Sequence, residues 1–164
     1  MKTKKKNNYG FTILELVVAI AIASLMAGIA VPSIVNWLQS NRLRGAAINL
    51  VGDLEMAKIR AIRENSFVAV LFFQDSYTIF VDNGEGGGGG GDWTRNGMEA
   101  LVQHRSLPAG VTIDLTALTL PDSRVRFSGK GFPLGVTLPE TIPIVNAVGR
   151  KKVTLTRLGN IQIQ

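Results

Sequence analysis

Phe11-Thr-Ile-Leu-Glu-Leu-Val-Val-Ala-Ile-Ala-Ile-Ala-Ser-Leu-Met-Ala-Gly-Ile-Ala-Val31 is apolar except for one carboxylate, Glu15. About 20 such residues suffice to cross a bilayer as a helix. A carboxylate deep in a membrane helix costs roughly 2.5–3.5 kcal/mol on insertion scales, so an acid there usually serves a partner or a function. Directly before the run stands a basic leader, Met1-Lys-Thr-Lys-Lys-Lys-Asn-Asn-Tyr-Gly10.

A secretory signal peptide also joins a basic start to an apolar stretch. Its apolar core, however, is typically 7–15 residues long and ends in a small-x-small cleavage site. Gly28-Ile29-Ala30 imitates such a site, but the stretch here is too long, Glu15 lies inside it, and Pro32 follows almost at once. A plain membrane anchor accounts for the length and the lysines and leaves Glu15 without a purpose.

The formal net charge is +6 over 164 residues. Lys2, Lys4, Lys5 and Lys6 carry four of those charges, and subtracting them from +6 leaves +2. Positive residues beside a membrane helix stay cytoplasmic, and Arg42 and Arg44 beyond the run are outnumbered by the four lysines. The expected topology is a single pass, N-terminus cytoplasmic, with the rest across the membrane. The chain has no cysteine, which removes thiol catalysis, iron–sulfur clusters and thiolate zinc sites.

Beyond the apolar run, Leu43, Ala47, Leu50, Leu54, Ala57 and Ala61 recur in steps of four and three, one face of a helix. Arg42, Arg44, Asn49, Asp53, Lys58, Arg60 and Arg63 fill the remaining positions, and Glu55 can pair with Lys58 on the outer surface. One helix from about Phe11 to about Glu64 is expected, ended by Asn65-Ser66. Pro32 lacks an N–H and crowds the carbonyl of Gly28, so Gly28 and Pro32 mark a soft spot where kinking costs least.

From Phe67 the pattern turns to strands: Phe67–Phe73 and Tyr77–Val81, joined through Gln74-Asp75-Ser76 as a hairpin. Further strands are predicted at Leu101–His104, Val111–Leu115, Arg124–Ser128, Ile142–Val145, Lys152–Thr156 and Asn160–Gln164. In the last two, Val153 and Leu155 alternate with threonines and Ile161 and Ile163 with glutamines, predicting one wet face each. Leu158-Gly159 makes the turn between them.

Asp82–Gly97 reads as a loop, with six consecutive glycines from Gly86 to Gly91. Glycine has the most backbone entropy to lose, which predicts a mobile segment. No Gly-Lys-Ser/Thr follows, so it is not a phosphate loop. Asp82, Asn83, Glu85 and Asp92 are hard oxygen donors of the kind calcium takes, but their spacing is not that of an EF-hand, and a solvated acidic turn is the plainer reading. His104 is the lone histidine, without an acid–serine pattern around it. No catalytic residues, metal or cofactor are expected.

Gly10-Phe11-Thr12-Ile13-Leu14-Glu15, with the basic leader before it and Pro32 after it, resembles the processing site of type IV pilins and type II secretion pseudopilins. The resemblance implies that a prepilin peptidase cuts between Gly10 and Phe11 and methylates the Phe11 amine. Removing ten residues from 164 leaves a mature chain of 154. It implies an assembly role for Glu15, whose partner would be the Phe11 amine of its own or an adjacent subunit. It also implies an α+β pilin-like fold, a long N-terminal helix packed on an antiparallel β-sheet domain. The domain plan is then a leader at 1–10, a transmembrane segment at 11–35, an amphipathic continuation at 36–65 and a periplasmic β-rich domain at 66–164.

The strand pair Phe67–Val81, the Asp-Asn-Gly-rich loop, Glu99-Ala-Leu-Val102 and the closing glycine turn and strand resemble the minor pseudopilin H group (the GspH/FimT family). The implied function is a non-enzymatic subunit that helps initiate or cap a short periplasmic filament for protein secretion. Its partners would be the peptidase, other major and minor pseudopilins, and the bacterial inner membrane.

The alternative is a pilus-associated subunit that binds DNA for natural transformation. Residues 122–164 hold Arg124, Arg126, Lys130, Arg150, Lys151, Lys152 and Arg157 against Asp122 and Glu140, and a basic surface can neutralise phosphates. In the DNA-uptake relative the C-terminal motif resembles Gly-Arg-x-Arg. This chain has Gly159-Asn160-Ile161-Gln162 there, with both arginines absent, and Arg150, Lys151 and Lys152 would have to substitute. Nucleic acid is therefore the less favoured partner.

Overall fold

A computed structural model describes residues 11–136 and 139–164. Gly10 and the basic leader lie outside the described residues. Among the described residues one helix, α1 (Ile13–Glu64), is followed by nine short strands. The chain divides into two units, one reaching Trp37 and one comprising Leu38–Gln164.

Among the described residues the first unit consists of the N-terminal part of α1 and the two residues before it. Its large side chains stand exposed, from Ile13 and Leu14 through Ile29 and Ile34 to Trp37. An apolar window of mean hydropathy 2.4 has none of its surface buried by the chain itself. A helix apolar on every side needs a non-aqueous environment or neighbouring chains. Thr12 Oγ1 accepts a hydrogen bond from the Glu15 N–H at 3.2 Å, capping the first turn. The helix assignment continues through Gly28 and Pro32.

In the second unit α1 buries Leu43, Ala46, Ala47, Leu50, Leu54, Ala57 and Ala61. The six residues of the predicted stripe are all among them. Full burial of a leucine is worth roughly 1.5–3 kcal/mol, so Leu50 and Leu54 anchor this face, while the alanines let backbone approach closely. The helix ends at Asn65, in the left-handed region at φ 46°. The Ser66 N–H then closes back on the Ala61 carbonyl at 3.1 Å, a bond of the kind that terminates helices.

The strands form two antiparallel sheets. The first has the order β3 (Leu101–Ser106), β2 (Ser76–Val81), β1 (Val68–Phe72), β5 (Arg124–Phe127), β6 (Pro133–Leu134). The second runs β4 (Thr112–Ile113), β7 (Glu140–Val145), β8 (Arg150–Leu155), β9 (Ile161–Ile163). Val68, Val70, Phe72, Ile79, Val125 and Phe127 of the first sheet share one core with Ile113, Ile142, Ile144, Val153 and Leu155 of the second and with the helix stripe.

The strand reading changes in detail. Val111–Leu115 shortens to Thr112–Ile113 because Asp114 starts a turn, its Oδ1 accepting the Thr116 and Ala117 N–H groups. The edge strand Pro133–Leu134 and the 3-10 turn Pro121–Ser123 carry no apolar alternation and were not predicted. The wet face of β8 is also incomplete, since Thr154 is buried and its Oγ1 has no hydrogen-bond partner among the described residues.

Candidate assembly surfaces

Four places bear on function: the start of α1, a polar clamp between helix and sheet, the glycine-rich loop, and the basic residues of β8. At the start of α1, Phe11 and Glu15 are both exposed. Phe11 precedes the helix, which starts at Ile13 and is capped by Thr12. Thr12-x-x-Glu15 is also a capping-box pattern, of which the bond from the Glu15 backbone N–H to Thr12 Oγ1 is present. That pattern is legible in the sequence itself.

Asp53 corrects the sequence reading most clearly. Periodicity puts it among the residues off the helix stripe, yet it is buried at 8 % exposure. The Tyr77 hydroxyl donates to Asp53 Oδ2 at 2.7 Å, and the Arg105 guanidinium donates to both carboxylate oxygens at 2.6 and 3.2 Å. Burial first, then the Asp53 hydrogen bond, push the Tyr77 phenol above its ordinary pKa. The hydrogen bond to Asp53 likewise raises that of Arg105. An unpaired charge would not survive on a helix face turned inward; a tyrosine and an arginine from neighbouring strands make it tolerable.

The loop after β2 is built around two buried carboxylates. Asp82 is fully buried, and its oxygens accept N–H bonds from Gly91 (2.8 Å), Asp92 (3.2 Å) and Trp93 (3.2 Å). Glu99 accepts from Gly84 and Asn96, each at 2.8 Å. Arg126 stands 3.6 Å from Asp82, donates to the Gly91 carbonyl, and lies over the rings of Phe67 and Trp93 at 4.6 and 4.5 Å. Gly91 has φ +85°, a conformation that strains other residues, and a Cβ there would push the Arg126 guanidinium aside from 2.5 Å.

The segment is therefore tied down at both ends, where the sequence suggested only mobility. Asp82, offered as a calcium donor, spends its oxygens on backbone amides. Among the described residues no group of three or more acids or histidines converges on a metal-sized site. His104 is exposed and shares a hydrogen bond with Thr78 Oγ1 at 2.9 Å.

Arg150, Lys151 and Lys152 lie within β8 and not in the turn before it. Strand alternation separates them. Lys151 pairs in register with Ile144 of the core face, while Arg150 and Lys152 pair with Val145 and Pro143. Arg150 also forms an ion pair with Asp114 at 3.0 Å. The structure does not gather the three into one surface.

Residues 5–31 match the prokaryotic N-terminal methylation motif, and residues 46–159 match the family described as type II transport protein GspH. The chain belongs to the GspH family. It is thus a minor pilin or pseudopilin of GspH type, a structural component that acts in filament assembly with other pilins.

A relative over nearly the whole length is the pilin-like protein PilA1 of Thermus thermophilus, 26% identical across 94% of this chain and 97% of that one. Among solved structures, the type IV minor pilin FimU of Pseudomonas aeruginosa aligns with a TM-score of 0.59 at 16% identity, covering 78% of this chain and 92% of FimU. The minor pseudopilin EpsH of the Vibrio cholerae type 2 secretion system aligns with a TM-score of 0.55 at 16% identity, covering 75% and 96%. At such identities the two structures speak for the fold, which is the pilin-like helix-on-sheets architecture expected from sequence. Family membership and the apolar N-terminal helix together indicate membrane anchoring.

Proposed function

We propose that this GspH-family chain is a minor pseudopilin of a type II protein secretion system that helps initiate or cap a short periplasmic pseudopilus. Residues 1–10 are removed by prepilin peptidase after Gly10, and Phe11 becomes the methylated N-terminus. Residues 11–35 cross the inner membrane with the N-terminus cytoplasmic. Glu15 then pairs with the Phe11 amine of its own or an adjacent subunit, and Gly28 and Pro32 supply the place where the helix yields during assembly. The domain following the helix is periplasmic.

The observation that carries secretion over DNA uptake is the fate of the basic residues. Asn160 and Gln162 stand where the DNA-uptake pattern has arginines, and β8 sends Lys151 to one face and Arg150 and Lys152 to the other. A phosphate-binding surface needs its cations on one side. Exposed apolar residues of the C-terminal half of α1, including Ile48, Met56, Ile59 and Ile62, favour protein neighbours.

A second reading is a type IV pilus minor pilin that binds DNA: its pilus part is supported by the relationship to the pilin-like protein PilA1, and its DNA part only by the net basic character of residues 122–164. A chromosomal deletion separates the two. Loss of secreted protein from the medium with unchanged transformation supports the first reading; normal secretion with lost transformation replaces it with the second.

A further inference from the structure

Strand β9 is the outer member of the second sheet, with β8 on one side and no strand on the other among the described residues. Lys152 and Gln164 exchange both backbone bonds, at 3.0 and 2.7 Å, and the Thr156 N–H donates to the Asn160 carbonyl. Antiparallel pairs alternate between bonded and non-bonded positions, so Gln162 also directs its amide and carbonyl to β8. The N–H and C=O groups of Ile161 and Ile163, opposite Leu155 and Val153, therefore point to the open edge.

Beside that edge lies a groove of about 280 Å³, formed by Arg44, Ala47 and Ile48 of α1, Lys151 of β8 and Ile163 of β9. It has an apolar end and a basic end. β8 runs in the same direction as α1: Asn146 before it donates to the Gln39 carbonyl at 2.8 Å, and the Gly159 carbonyl after it accepts from Lys58 Nζ at 2.9 Å. Arg44 stands about one turn before Ile48, and Lys151 stands two residues before Val153, the partner of Ile163. Both cations are thus displaced from the apolar residues toward the same end. Neither has a carboxylate within ion-pairing distance among the described residues, whereas Lys58 and Arg150 on the same two elements each have one.

An open row of backbone donors and acceptors is a template for one more strand. A strand added antiparallel to β9 would turn every second side chain toward α1. The side chain opposite Ile163 would lie against Ala47 and Ile48, and the one two residues before it would reach Arg44 and Lys151. We propose that β9 takes up an extended segment of a partner protein in which an acidic residue is followed, two places on, by an apolar one. Backbone bonds to Ile161 and Ile163 hold the segment, and the two cations fix its register. Nucleic acid fits this site poorly, because it has no amides for the edge and would leave the apolar end uncovered.

The probe is a fluorescent heptapeptide, Ser-Glu-Thr-Ile-Thr-Val-Ser, capped at both ends and titrated against the full chain in phosphatidylcholine nanodiscs, with protein-free discs as the blank. It should bind and slow amide exchange at Ile161 and Ile163. Methylating the backbone nitrogen of the peptide isoleucine, which faces β9, should abolish binding, while methylating that of the threonine after it should be tolerated. Moving the glutamate one place toward the isoleucine turns its carboxylate to the other face and should weaken binding.

Arg44→Ala with Lys151→Ala should weaken binding about tenfold, roughly a factor of three per cation, with unchanged thermal unfolding because both side chains are exposed. Arg157→Ala, an exposed cation elsewhere, should change nothing. No binding at millimolar peptide, equal loss from the two methylations, or wild-type affinity in the double variant would each overturn the proposal. So would displacement of the peptide by duplex DNA, or protection of Ile161 and Ile163 that grows with protein concentration alone, which would make a second copy of this chain the occupant.

Discussion

The Tyr77 hydroxyl donates to Asp53 Oδ2 at 2.7 Å, joining β2 to the buried face of α1 across 24 residues of sequence. Arg105 of β3 closes the same carboxylate from the other side. The helix stripe and the first sheet are thereby tied by a polar contact as well as by apolar packing. Sliding the helix by one residue would strand the carboxylate without partners.

Removing the acceptor should therefore cost more than removing one donor. Asp53→Ala leaves a phenol and a guanidinium without their partner and is expected to destabilise by roughly 3 kcal/mol. Tyr77→Phe should cost about 1 kcal/mol. Chemical denaturation of the full chain in detergent measures both; equal losses would show that the carboxylate does not organise the cluster.

The same pair predicts an alkaline limb. Because folding raises the Tyr77 pKa, its contribution is complete below the unfolded value near pH 10 and is lost as pH climbs beyond it. Stability should fall above pH 10 by about 1.4 kcal/mol per unit from this group. Tyr77→Phe should start lower and fall less steeply, so the two curves converge; parallel curves would contradict the assignment.

Asp82→Asn should loosen the glycine-rich loop. It removes the negative partner of Arg126, whose side chain is only 15% exposed, and weakens three amide bonds. Breaking a buried pair costs about 3–5 kcal/mol, although the 3.6 Å separation here places the effect toward the lower value. Limited trypsin digestion should cut faster at Arg95, with the rest of the domain intact. An unchanged cleavage rate would mean that Arg126 and the Trp93 ring hold the loop without the carboxylate.

Two turn glycines should behave oppositely. Gly159 has φ +80°, and a Cβ there would lie 2.9 Å from the Gly131 carbonyl oxygen. Gly159→Ala is expected to cost roughly 1–3 kcal/mol. Gly149 meets nothing within 4 Å, and Gly149→Ala should be nearly neutral. Thermal unfolding of the two variants side by side checks the contrast.

At the N-terminus, Gly10→Val should leave the uncleaved precursor, because a peptidase that draws backbone close can demand a residue without Cβ. Glu15→Val should be inserted and processed yet fail to co-purify with partner subunits, since an unmatched amine or carboxylate in a low-dielectric bundle is costly. Intact mass and pull-down measure the two steps. Phe11 absent as the mature N-terminus, or wild-type co-purification by Glu15→Val, would refute the corresponding role.

Much of this protein is legible along the chain because the deciding physics is local. The apolar run from Phe11, the stripe from Leu43 to Ala61 and the alternation in the strands follow from the periods of helix and strand, and Asn65 ends the helix where a left-handed residue is needed. Asp53, Asp82 and Lys151 were not legible in the same way. A carboxylate reads as surface until Tyr77 and Arg105, distant in sequence, converge on it, and Asp82 reads as a solvated turn until three backbone amides and Arg126 surround it. Lys151 belongs to a basic run until strand pairing turns it toward Arg44 and away from its neighbours. Periodicity assigns a residue to an element and a face. Only the tertiary structure decides what meets that face, because the energy of a buried or paired charge depends on partners brought together by the fold.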